Sequence, residues 1–120
     1  MSVYDKAYEL ARALAASPEY KEYLSCRDKL LQDQRNFSIL EDFRRQQWEL
    51  QMAQILGQEV EEEVAEELDQ IYALLSANPI INEFLTAEYR LSKMMSEIQR
   101  IVGEAVGAWM GDEIRNRNVN

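Results

Sequence analysis

The sequence has no histidine, one cysteine, two prolines and four glycines in 120 residues. Each shortage closes a class of function. A lone cysteine cannot form an intrachain disulfide. Without histidine there are no His-based metal sites, no Cys-His nucleophile pair and no Ser-His-Asp triad. No apolar run reaches the 18 or so residues needed to span a bilayer. Residues 1–8 lack the basic region and apolar stretch of a signal peptide, so a cytoplasmic protein is expected. No GxxxxGK or GxGxxG motif is present to cradle phosphate. Few Gly and Pro, with abundant Ala, Glu, Leu, Gln and Arg, leave a chain of strong helix formers.

The charge is uneven. Thirteen Lys and Arg face 22 Asp and Glu, for a net charge of -9. Residues 46–89 hold ten acidic residues and no Lys or Arg, so the other 76 residues sum to +1. The acidic balance opposes nonspecific binding to nucleic acid or acidic membrane. DNA binding and membrane insertion are therefore not expected, and RNA contact is at most indirect. The polarity reads either as local solvation of polar helix faces or as oriented docking of a partner or a second copy.

Helical spacing predicts an all-α bundle of four or five helices forming one domain over 1–120, with a long final helix. Val3, Ala7, Leu10, Ala11 and Leu14 give the first helix its apolar face, over Val3–Ala16. Ser17-Pro18 reads as a cap followed by proline at the first helical position. The second helix is expected from Pro18 to about Gln34, through Tyr20, Tyr23, Leu24, the Arg27 stem and Leu30 or Leu31. Ser38 with Glu41 resembles a capping box, which places a break at 36–38 and a third helix at Ile39–Leu56. Its face is Leu40, Phe43, Gln47, Leu50 and Gln54. Gly57 marks an end or kink, and Val60 to Leu75 restarts the helical pattern.

Asn78-Pro79 repeats the cap-and-proline signal and opens a helix expected to reach Met110, about 48 Å at 1.5 Å per residue. Phe84, Leu91, Ile98 and Ala105 are seven apart. Ile81, Met95, Val102 and Trp109 form a second track, interrupted at Glu88. This is a coiled-coil or long-bundle pattern. Phe84, Leu91, Met95, Ile98, Val102 and Trp109 are therefore the candidate interface or core anchors of a homodimer. Residues 112–120 read as a frayed tail.

An echo runs through the chain at an offset of 61. Leu14-Ala15-Ala16-Ser17-Pro18 matches Leu75-Ser76-Ala77-Asn78-Pro79, and Glu22, Tyr23-Leu24 and Leu30 match Glu83, Phe84-Leu85 and Leu91. Either helical hairpins are simply written this way, or two similar hairpins pack by similar rules.

Other candidates for chemistry are thinner. Residues 59–69 carry seven carboxylates, with Glu59, Glu62, Glu63 and Glu66 on one sector of a helix. A di-iron bundle pairs such groups with Glu-x-x-His on facing helices, and there is no His. A solvated acidic face is the expected reading, with a partner-binding surface that orients docking as the second and a carboxylate metal protein or enzyme as the last. Arg27, Lys29, Arg35, Arg44 and Arg45 form a basic cluster that an RNA-associated protein would use. Cys26 reads as a buried or semi-buried inert thiol. No catalytic, metal or cofactor-binding residue is assigned.

The stretch from Leu74 to Val106 resembles the YlbF/YmcA family of small helical bacterial regulators, which includes YheA-like proteins. Asn78-Pro79, Phe84-Leu85, Ala87-Glu88, Leu91, Met95 and Ile98 carry the likeness. The Gln-rich helix Phe43–Gln54 followed by Gly57 fits the same layout, and the likeness covers roughly Tyr4–Met110. It implies a non-catalytic helical regulator that forms dimers or mixed complexes. Family members act in competence, sporulation and biofilm development, some with the partner YaaT and the endoribonuclease RNase Y in mRNA processing. Some complexes bind iron–sulfur clusters through cysteines; this chain departs there, since Cys26 is its only one.

Overall fold

The computed structural model describes residues 2–109. It holds α1 (Val3–Ala15), α2 (Pro18–Gln32), α3 (Gln34–Ile55), α4 (Glu62–Ala77) and α5 (Pro79–Ala105), with no strand among the described residues. A last helical turn covers 107–109. The frayed tail expected at 112–120 lies outside the described residues.

Local signals set most boundaries. Ser2 and Asp5 form a reciprocal capping box on α1. Ser17 accepts from the Tyr20 amide and Pro18 takes the first position of α2. Asn78 accepts from the Ile80 and Ile81 amides, with Pro79 first in α5. Both Pro turns thus form where the sequence places them. Gly57 ends α3 in the left-handed region, at φ 74°.

Three boundaries differ from expectation. The break between α2 and α3 is the single residue Asp33, not 36–38. Asp33 leaves helical geometry and its carboxylate accepts from the amides of Arg35 and Asn36. An aspartate cap satisfies those end amides, so Ser38 is left inside α3. α4 begins at Glu62, not Val60, because the chain is still recovering from the Gly57 turn and Glu61 remains extended. α5 ends at Ala105, where Val106 leaves helical geometry, and so spans about 40 Å rather than 48 Å.

α2 and α5 pack antiparallel along the middle of the molecule. Tyr23 meets Phe84 at 5.6 Å between ring centroids. Arg90 donates to both carboxylate oxygens of Glu22, at 3.3 and 3.4 Å. α3 and α4 close one side. The core is Cys26, Leu30, Leu40, Phe43, Leu68, Leu75, Ile81, Phe84 and Ala87, drawn from α2 to α5 alone. α1 buries none of its residues.

The shape is a plate, 51 × 42 × 16 Å. Its radius of gyration of 19.0 Å compares with about 13–14 Å for a compact chain of this length. It exposes 9655 Å², against roughly 6,500 Å² for a compact globule of similar mass.

Candidate protein-docking surface

Exposed large apolar side chains occur on every helix, and α1 and the distal half of α5, with the turn after it, carry nearly half of them. Val3, Tyr4, Tyr8 and Leu10 of α1 are exposed, as are Met95, Ile101, Val102, Val106 and Trp109 at the far end of the chain. Both helices are amphipathic, so each carries an apolar stripe fit for burial. Neither stripe finds a full partner among the described residues.

Between them lies an open groove of about 450 Å³. Ala11, Leu14 and Ala15 of α1 form one wall, Leu91 and Met95 of α5 the other, and Tyr20 the end. No charged side chain lines it. Small residues on one wall and long ones on the other make a channel suited to the side chains of a further helix.

The six sequence-derived anchors separate on this geometry. Phe84 is a core residue, 5% exposed, against Tyr23 and under the Arg44 guanidinium. It is occupied within the chain and is not on the free face. Leu91 and Ile98 are half-buried. Met95, Val102 and Trp109 are exposed. The heptad thus changes role along its length: its first turns pack on α2, and its later turns face solvent. Sequence reasoning missed α1 as part of the face. Its stripe was visible, but an apolar stripe does not say whether its partner lies in the same chain.

The other candidate sites behave differently. Glu62 and Glu63 occupy the first turn of α4, where the helix dipole favours negative charge. Glu59 precedes α4 and so does not share its sector. The acidic side chains from Glu59 to Asp69 are solvent-exposed. Within the basic cluster, Arg44 bonds Glu88 at 2.6 Å and sits 5.6 Å from the Phe84 centroid. Arg45 pairs with Asp42 at 3.3 Å. Two of the five cations are therefore engaged by the chain's own carboxylates. Cys26 is buried at the base of a polar cleft with Glu22, Lys29, Glu83 and Arg90. Burial first, then the charges of Glu22 and Glu83, push its thiol above the ordinary range. That favours the unreactive protonated form. No helix among the described residues is long and apolar enough to cross a membrane.

Known proteins share both sequence and fold. A UPF0342 protein of Desulfitobacterium hafniense is 35% identical over 106 residues, covering 88% of this chain and 86% of that protein. One of Caldicellulosiruptor saccharolyticus is 39% identical over 105 residues, covering 88% of each. A DUF964 protein of unknown function from Bacillus stearothermophilus superposes with a TM-score of 0.76 at 19% identity, covering 87% of this chain and 91% of that one. Bacillus subtilis RicA, solved in complex with RicF, gives 0.61 at 22% identity, covering 90% and 96%. These likenesses carry the all-helical fold. The model of the family described as control of competence regulator ComK, YlbF/YmcA, matches residues 3–107, and the chain belongs to that family.

Proposed function

We propose that this chain is a non-catalytic cytoplasmic regulatory adaptor, acting through protein–protein contacts with a second copy and with regulatory partners. The observation that carries this reading is the unfilled apolar face of α1 and distal α5. An open apolar groove flanked by exposed apolar side chains is the kind of surface that a partner helix covers. The family description, which names control of a competence regulator, supports a regulatory role. The RicA structure, solved with RicF, supports protein partners as the mode of action. The process served is the control of competence, sporulation or biofilm development through mRNA processing. The inert setting of Cys26, the strongest nucleophile present, fits a protein that binds rather than reacts.

The test is affinity capture of the full chain from its native host, with mass spectrometry. A near-stoichiometric regulatory or RNA-processing protein is the expected finding. Retention of small-molecule turnover by the purified chain, with no protein retained, overturns the reading. Tight RNA binding by the chain alone, weakened by salt and by reversing Arg27 and Arg35, would instead favour the RNA-associated alternative.

A further inference from the structure

The α3–α4 hairpin reaches past the core. Asn36, Leu40 and Phe43, the buried residues of α3, all lie in its first half. From Arg44 to Ile55 the helix runs on for about 18 Å and holds no buried residue. α4 packs back along this arm, and between the two helices lies another open groove, of about 360 Å³. Buried Phe43 and Leu68 with half-buried Leu50 and Ala65 form its floor. Gln47 on α3 and Asp69 on α4, both exposed, form its rims. The Phe43 and Tyr72 rings, 5.8 Å apart at their centroids, close its inner end. Toward the Gly57 turn the arm exposes Ile55, Leu56 and Val64.

The charge around this groove has one sign. Eight carboxylates and no Lys or Arg lie between Gln46 and Ala77. None of the eight meets a cation among the described residues. Glu62, Glu66 and Asp69 follow one another at helical spacing, so they share the face of α4 that carries Ala65 and Tyr72. The cations that precede the arm, Arg44 and Arg45, are held by Glu88 and Asp42. An apolar floor therefore sits beneath an uncompensated negative field.

We propose that the α3–α4 groove seats a basic amphipathic helix of a partner protein. Its apolar stripe lies on Phe43, Leu50 and Leu68, and its Lys or Arg side chains reach Glu62, Glu66 and Asp69. This deepens the adaptor reading and rests on it. Shape selects a helix. The groove between two packed helices accepts the side-chain ridge of a third. From Phe43 to Leu50 it runs about two helical turns, the reach of anchors at i, i+3 or i+4, and i+7. Charge selects the sign. A second copy meeting this face with its own would set eight carboxylates against eight, and RNA is repelled in the same way. An acidic helix could cover the floor but would meet like charge at the rim. None of the lining residues belongs to α1 or α5. The two faces can therefore be filled together, which gives an adaptor two separate contacts of different chemistry.

The test titrates the full chain into a fluorophore-labelled helical peptide of about 18 residues, with Leu on one face and Lys on the other, and follows anisotropy. Binding is expected to be about tenfold tighter than that of a shuffled isomer without the stripe, and to vanish when Glu replaces Lys. Raising salt from about 0.05 to 0.3 M weakens it about fivefold. Gln47→Lys and Asp69→Lys, at exposed rim positions, each weaken it about tenfold with helicity retained. Ala11→Lys on α1 and Glu97→Lys on α5 make the same changes of charge away from the groove and leave the affinity within about twofold. No binding by wild type, equal binding of the shuffled isomer, rim variants as tight as wild type, or loss through Ala11→Lys or Glu97→Lys of the same size would each overturn the proposal. Absence of peptide binding by a chain that still captures a regulatory protein from its host sinks this proposal and leaves the adaptor reading standing.

Discussion

The side-chain amide of Asn78 donates to Oδ1 of Asn36 at 3.2 Å. Asn78 also caps α5, so a single side chain fixes the α4–α5 turn and holds α3 against it. Asn36 is buried and depends on that partner. Asn78→Ala removes a cap and leaves a buried amide unpaired, at a combined cost of about 2–3 kcal/mol. Its counterpart Ser17→Ala removes a cap without orphaning another side chain and costs about 1 kcal/mol. Urea unfolding of both variants reads the difference.

Gly57 holds φ at 74°, and a Cβ placed there meets nothing within 4 Å. Only backbone strain opposes a side chain. Gly57→Ala is therefore expected to destabilise by about 1 kcal/mol, with no change in the core. A denaturant midpoint that falls with unchanged slope is the result that fits.

Cys26 is held protonated by burial and by Glu22 and Glu83. The folded chain keeps this proton to higher pH than the unfolded chain does. The sign follows: stability is unaffected by this group below about pH 8.5, and falls as pH rises beyond it. Cys26→Ala removes that decline. Unfolding free energies of the two proteins from pH 7 to 10 should diverge only at the alkaline end. A disulfide reagent at pH 7.5 should modify native Cys26 far more slowly than a free thiol.

Arg44 and Glu88 join α3 to α5 with both side chains about a third exposed. Solvent screens such a pair, so its coupling in a double-mutant cycle should be about 0.5–1 kcal/mol and should shrink in high salt. Arg44→Ala costs more than Glu88→Ala, since it also uncovers the Phe84 ring.

Legibility in the sequence followed the range of the forces. The Pro18 and Pro79 turns and the Gly57 end were readable because each is decided within a few residues. The Asp33 break was not. The Ser38–Glu41 spacing offered a competing local cap, but Asp33 caps the helix instead, and Asn36 and Leu40 on either side of Ser38 are buried within α3. The candidate face was half legible. Heptad spacing picked Phe84, Met95, Val102 and Trp109 alike as interface or core anchors; the fold buries Phe84 and leaves the other three exposed. A period shows that a residue faces some partner, not which one. For the same reason α1 was recognised as a helix and not as a surface. The offset of 61 was visible in the letters, and two of its matched residues, Tyr23 and Phe84, meet in the fold.

The plate-like build has a consequence for motion. α1 meets the remainder of the molecule with no buried side chain of its own, so little beyond its capping box resists its opening. Such a segment belongs to the low end of a protein's local stability range. Backbone amides of residues 7–15 should exchange with deuterium well before those of α2, and their protection should rise with protein concentration. The first helix would then report occupancy of its neighbouring groove through its own rate of unfastening.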